Sequence, residues 1–390
     1  MLSAAGAHHK NLHDHPAYRL ARAGPEDPTV DFVSMSTESS AAGRGTGAPD
    51  LPHTATAAES AELAVVTRGG AVESRHLGSA VLVGPDGQVL ESLGAPEKPI
   101  FPRSSLKPLQ AVASLRAGAL ISPEAVALAC GSHVGSRRHQ ELAADVLKAE
   151  GLDESYLLCP TAYPSRTEDL KIHLEAGKEK SRLAFNCSGK HAAFLAACRT
   201  RGWRLATYTD PQHPLQQTVL EVIEEYCGEK PGTVAVDGCG APTPTVSLTG
   251  LARGLGRISS AVGVGGRGRR DAEVHAFTVA QAMLDYPWAV HGRGEANTVV
   301  MEELGIIAKL GAEGVLVLAA PDGTAAAVKT LDGSARANNL VGLSLLAAHG
   351  AVDLDALSQV LKKIVKPIVG GASDEVVGSL RLSSAVSSRL

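Results

Sequence analysis

Strand-and-turn patterns at the two ends of the chain, separated by a long helical stretch, constrain the fold more than any other feature. Near the start, Leu63-Ala64-Val65-Val66-Thr67 runs into Gly69-Gly70. Ser79-Ala80-Val81-Leu82-Val83 then meets Gly84-Pro85-Asp86-Gly87. Apolar runs joined by such turns read as β-hairpins. The pattern returns late: Gly314-Val315-Leu316-Val317-Leu318, the turn Pro321-Asp322-Gly323, a run from Ala325 to Leu331, then Asp332-Gly333. A last strand is expected over 375–380. Between the ends, helical periodicity places helices at 105–117, 123–130, 137–150, 190–201, 214–227 and 274–284. Two more follow at 338–348 and 353–364. Strands from both termini with helices between them imply an α+β fold. One antiparallel sheet is assembled from both ends and covered by helices, partly as an inserted subdomain.

Residues 1–58 read differently. They hold His8-His9, several prolines and a Ser/Thr/Gly/Ala-rich run from Ser36 to Gly47, with almost no periodic apolar residues. We expect a disordered N-terminal extension over 1–58 and a catalytic domain over 59–390. No apolar stretch of secretory type lies in the extension, and its acidic residues speak against an organelle transit peptide. Met35 is the expected natural start. The loop from Gly263 to Arg270, GVGGRGRR, is basic and glycine-rich and reads as a solvated excursion.

Composition excludes several classes of function. Aromatic residues are only 3% of the chain, too few for base-stacking platforms, and the net charge of −4 offers no general attraction to phosphate backbones or anionic membranes. No 18-residue apolar run is present, so the expectation is a soluble, cytoplasmic protein. The six cysteines are irregularly spaced, which favours reduced thiols or metal ligands over a disulfide framework.

The chemistry is carried by short motifs. Arg103-Ser104-Ser105-Leu106-Lys107-Pro108 holds a Ser-x-x-Lys at a helix start. A serine hydroxyl is a weak nucleophile without a base, and a neutral lysine one turn away supplies one. The helix N-terminus favours negative charge developing on the serine oxygen. The alternative is a capped helix with a solvated lysine. Cys130-Gly131-Ser132-His133-Val134-Gly135 offers a second hydroxyl, Ser132, as a proton relay. Asn186-Cys187-Ser188-Gly189-Lys190-His191 and Asp237-Gly238-Cys239-Gly240 each present one thiol. With Lys190 or His191 as third donor, they could bind zinc at about 2.3 Å per sulfur and keep one position open. The alternative is cysteines that fill space. Lys329, in Val328-Lys329-Thr330, lies on a strand, where a lysine-threonine pair stands beside the serine in β-lactamase-type sites.

Taken in order, FPRSSLKPLQ, CGSHVG, NCSGKHAAFL, DGCGAPT and AVKTLDGSARA resemble the asparaginases of the Rhizobium etli type, the asparaginase II family. The resemblance spans about Glu62 to Leu382. It implies a fold similar to serine β-lactamases and serine-dependent glutaminases. It also implies Ser104 as nucleophile, Lys107 as its base, Ser132 in the catalytic set, and Lys329 completing a second serine–lysine pair. Arg103 and Asp237 match positions near the substrate, and Cys187, Lys190 and Cys239 match a zinc site (Zn2+) beside the nucleophile. Homodimers and L-asparagine hydrolysis to aspartate and ammonia are implied too. The chain departs from the family at the extension and at His291-Gly292-Arg293-Gly294-Glu295-Ala296, where an Arg-Asp pair is expected. The competing readings are a glutaminase or β-lactam-interacting serine hydrolase on the same scaffold, and a non-catalytic metal-binding protein.

Overall fold

A computed structural model describes residues 53–263 and 271–389. The expected disordered extension, as far as residue 52, and the Met35 start lie outside the described residues. So does the basic loop beyond Gly263.

Three strands open the fold: β1 (Ala61–Arg68), β2 (Ala71–Val83) and β3 (Val89–Leu93). A two-residue strand β4 (Pro99–Ile100) follows. A single 3-10 turn at Arg103–Leu106 leads into α1 (Lys107–Arg116), α2 (Pro123–Ala129) and α3 (Arg137–Ala149). Then come α4 (Thr167–Glu175), α5 (Ser188–Arg201) and α6 (Pro214–Cys227). Short strands β5 (Val234–Val236), β6 (Pro242–Pro244) and β7 (Val246–Ser247) precede α7 (Leu248–Gly263) and α8 (Asp271–Asp285). Helices α9 (Pro287–Val290) and α10 (Ala296–Leu304) come next. The chain returns to strand with β8 (Ile307–Gly311), β9 (Val315–Ala319) and β10 (Ala325–Thr330). It ends through α11 (Asn338–Ala348), α12 (Leu354–Ile364), β11 (Ile368–Gly370), β12 (Glu375–Leu382) and α13 (Ser384–Ser387).

The main sheet has the order β11-β12-β1-β2-β10-β9-β8, with β3 also paired to β2, and its pairings are antiparallel. The two ends of the chain meet where β1 pairs with β12 and β2 with β10, as the sequence pattern anticipates. Every residue of β9 is buried, so that strand is covered on both faces. Gly342 of α11 lies against Leu318 and Val328, while Gly256 of α7 lies against Ala325. Val328 pairs with Leu316, whereas Ala325 pairs with Ala319. Successive side chains on a strand point to opposite faces, so α11 and α7 cover opposite sides of the sheet.

Helix α7 was not expected from the sequence. Its Gly250, Gly254 and Gly256 read as breakers, yet a Cβ at these positions would meet Glu229, the Cys227 sulfur and the Gly323 carbonyl. The glycines are there for close packing, and helix propensity yields to it. Strand β8 was also missed, because Ile307-Ala308-Lys309-Leu310-Gly311 is a short apolar run interrupted by a charge.

Gly78 of β2 shows the same demand within the sheet. A Cβ there would strike the carbonyl oxygen of Lys329 on β10. Gly78→Ala is expected to cost about 1–3 kcal/mol of stability through overpacking. Chemical denaturation checks this; an unchanged midpoint would show that the β2–β10 contact relaxes freely.

Candidate active site

The segment that delivers Ser104 is held from both sides. Before it, β4 pairs with β7, with Ile100 opposite Val246. After it, Ser105 is fully buried, and both its N–H and its hydroxyl donate to the Pro102 carbonyl, at 3.1 and 2.7 Å. Ser105 is therefore a structural residue. Ser104 is half-buried, and its hydroxyl has no hydrogen-bond partner among the described residues. Arg103 adopts φ +54°, a left-handed conformation costly for a residue with a side chain. It is fixed there by an ion pair of 2.6 Å from its Nε to Asp237 Oδ1. Strand β8 runs alongside: a Cβ on Gly311 would strike the Pro102 carbonyl and lie 3.3 Å from the Ser105 nitrogen. Only glycine lets the strand approach the serine turn this closely.

Lys107, the first residue of α1, is fully buried. Its Nζ donates to the Gly131 carbonyl, to Ser132 Oγ at 3.1 Å and to the Asn186 carbonyl at 3.2 Å. Ser132 sits on the loop after α2, whose backbone is pinned by Ser132 N–H to Val290 O and Val134 N–H to His291 O, at 2.8 and 2.9 Å. On its other side Ser132 Oγ accepts from Lys309 Nζ at 2.9 Å. Lys309 lies in the middle of β8, is fully buried, and also donates to the Leu310 carbonyl at 2.7 Å. Burial first, and the neighbouring Lys107 second, push its pKa well below the ordinary lysine value.

The sequence reading placed Lys329 in this second serine–lysine pair, and the structure puts Lys309 there instead. Lys329 belongs to β10, which is separated from β8 by β9, and its Nζ donates to the Thr330 carbonyl at 2.6 Å. The Lys-Thr dipeptide drew attention to the wrong strand. The informative signal was Lys309-Leu310-Gly311, a lysine inside an apolar strand with glycine two residues on, close to the lysine-x-glycine of β-lactamase-type sites.

Three histidines pack around the Ser132 loop, which the sequence did not single out as a group. His133 stacks on His139 with ring centroids 4.8 Å apart. His133 Nδ1 accepts from Gly135 N–H at 3.1 Å, so its Nε2–H faces Ser188 Oγ at 3.0 Å. Burial pushes His133 well below its ordinary pKa, His139 down to about 4 and His291 down to about 3. All three are neutral at pH 7; His133 and His139 hold the loop through ring hydrogen bonds, and His291 through its backbone carbonyl.

The cysteine motifs also come together. Cys187 precedes α5, Lys190 lies in its first turn, and Cys239 sits in the turn closed by Gly240 N–H to Asp237 O at 2.8 Å. Lys190 Nζ donates to Cys239 Sγ at 3.0 Å, and the Cys187 thiol donates to Asn186 Oδ1 at 3.1 Å with Cys239 as its neighbour. Cys187 first, with Lys190 and His191 beside it, holds the Cys239 pKa below the ordinary thiol value against burial, while that of Cys187 is pushed up. Burial opposes the Lys190 charge, but the two sulfurs outweigh it and push its pKa up. The His191 ring lies against Cys239, with Nε2 buried and unpartnered and Nδ1 2.7 Å from the Tyr208 hydroxyl. Asp237 joins this cluster to the serine turn, since its carboxylate contacts both Arg103 and Cys239. No group of three His, Cys, Asp or Glu is placed to hold a metal among the described residues. The nitrogen set against the sulfurs is Lys190 Nζ, 3.0 Å from Cys239 Sγ. Two sulfurs and an amine nitrogen would fit the donor preferences of zinc once the lysine is deprotonated.

Helices α1 and α2 and strand β8 thus bring Lys107, Ser132 and Lys309 into one serine–lysine cluster, three residues after Ser104 in the case of Lys107. The chain belongs to the L-asparaginase II family, whose model matches residues 64–382. Among solved structures, Mglu in its glutamate form aligns at 14% identity and a TM-score of 0.39, over 71% of this chain and 61% of that one. Mglu in its native form aligns at 14% identity and a TM-score of 0.35, over 73% and 63%. The chain thus spans about three-fifths of the length of these structures. No curated protein matches it in sequence. No helix among the described residues is long and apolar enough to cross a membrane.

The position of Lys309 has a consequence for stability. Its folded pKa lies below the ordinary lysine value of 10.5, so the unfolded chain binds more protons between the two values. Stability therefore rises with pH through that window and levels off above about 10.5. Lys309→Met is expected to flatten this rise and to stabilise the protein at neutral pH. Denaturation midpoints measured across the window check it, and an unaltered slope would contradict a neutral buried Lys309.

Proposed function

We propose that the protein is an L-asparagine amidohydrolase with Ser104 as nucleophile. The observation that carries this is the Ser132 hydroxyl held between Lys107 and Lys309, with Lys107 three residues after a half-buried Ser104 that has no other hydrogen-bonded task. Once Lys107 has passed a proton through Ser132 to Lys309, it accepts the Ser104 proton as Ser104 Oγ attacks the side-chain amide carbon. Ser132 passes protons between the lysine amines and the leaving nitrogen. Lys309 favours this transfer, because burial opposes its charge and eases return of the proton. The Ser104 N–H, at the start of a helical turn, faces the oxygen on which charge develops. Ammonia leaves, and water attacking the acyl-enzyme releases aspartate.

Arg103 and Asp237 recognise the α-carboxylate and α-ammonium of the substrate in this reading. Their mutual ion pair holds both in place before substrate arrives. Cys187, Lys190 and Cys239 are the residues that would hold zinc. When bound, the ion supplies positive charge for orienting the substrate. Asp237 carries the effect of the cluster to Arg103.

Ammonia release from L-asparagine and L-glutamine tests the reading. Asparagine is the expected better substrate. Ser104→Ala is expected to lower kcat by about three orders of magnitude or more while the protein stays folded. Persistent hydrolysis in Ser104→Ala would remove Ser104 as nucleophile. Metal analysis of the wild type against Cys187→Ser checks the cluster separately: the wild type is expected to retain zinc and the variant to lose it. Equal zinc content would place the metal elsewhere.

A further inference from the structure

A cavity of about 680 Å³ opens beside Arg103. That is the size of a small-ligand site, and its make-up is typical: mostly apolar walls with a few polar groups. Ile100, Phe101 and Val236 form apolar wall, and Arg103, Lys329 and the carboxylate Glu313 supply charge. Phe101 and Val236 are 37% and 74% exposed and take no part in the core, so the fold gives no reason for apolar residues there. L-Asparagine has no apolar group to set against them.

Arg103 is shared between the two places. Its Nε holds Asp237, and its side chain lines the cavity. If Asp237 takes the substrate ammonium and Arg103 its α-carboxyl group, the cavity lies on the α-carboxyl side, away from the attacked amide. Lys329 is half-buried and has no carboxylate within ion-pair distance among the described residues. A chain leaving the α-carboxyl group would pass Arg103 and meet the apolar wall, with Lys329 and Glu313 at its far side.

We propose that the protein also deamidates asparagine at the N-terminus of short peptides, with asparagine followed by an apolar residue. The apolar side chain packs on Ile100, Phe101 and Val236, and the polar end of the peptide lies toward Lys329 and Glu313. This rests on the amidohydrolase reading above. The chemistry is unchanged and balanced. The bond from Ser104 Oγ to the side-chain carbonyl carbon forms as the C–N bond breaks, and the leaving nitrogen takes the serine proton as ammonia. Water then supplies the carboxyl oxygen and returns a proton to Ser104. The peptide bond stays intact, so the product is an aspartyl dipeptide.

Ammonia release is measured from L-asparagine, Asn-Gly and Asn-Leu. A leucine side chain against an apolar wall is expected to raise kcat/KM for Asn-Leu about tenfold or more over Asn-Gly. Thr233 lines the same cavity, so Thr233→Trp partly fills it. That variant is expected to lose most of the Asn-Leu preference and keep asparagine hydrolysis within about threefold of wild type. Val236→Asp, at an exposed position, gives a second variant with the same expectation if Thr233→Trp does not fold. Equal rates for Asn-Leu and Asn-Gly, or no ammonia from Asn-Leu while asparagine is hydrolysed, overturn the peptide proposal alone. No ammonia from any of the three overturns the amidohydrolase reading first.

Discussion

Two fully buried lysines share one serine hydroxyl, and the rest of the site is arranged around that contact. Neither Lys107 nor Lys309 has a carboxylate within ion-pair distance among the described residues. At an effective dielectric of about 20, two like unit charges about 4 Å apart repel by about 4 kcal/mol. The pair therefore cannot easily carry two protons, and Lys309 is the member pushed toward neutrality. A site that must take and return a proton near pH 7 gains from one amine held ready in the neutral form.

The fold meets this demand by bringing three distant pieces of chain to one point. Lys107 starts α1, Ser132 follows α2, and Lys309 comes from edge strand β8. Gly311 lets β8 come close to the Pro102 carbonyl, and a Cβ on Gly131 would lie 2.8 Å from the Ala289 carbonyl. Asp237 then ties the serine turn to the Cys187–Lys190–Cys239 cluster, so the two sites cannot shift independently.

The strand hairpins at both ends were legible because turn glycines and apolar runs act locally. The helices with clean periodicity were legible for the same reason. Helix α7 was not, because Gly250, Gly254 and Gly256 meet a packing need that only the tertiary structure reveals. Ser104, Lys107, Ser132 and the cysteine motifs could be named from spacing and resemblance, but that they approach one another is a property of the fold. Lys309 was missed since one lysine in a buried strand carries no spacing signal to Ser132, which lies far away in sequence. The more familiar Lys-Thr pair at Lys329 took its place.

The central claim is that Ser104 forms the covalent bond to substrate. Acid quenching during turnover of L-asparagine, followed by peptide mapping by mass spectrometry, tests it most directly. The account predicts one aspartyl group esterified to the peptide bearing Ser104, and its absence in Ser104→Ala. An aspartyl adduct on a different residue, with Ser104 unmodified, would contradict it.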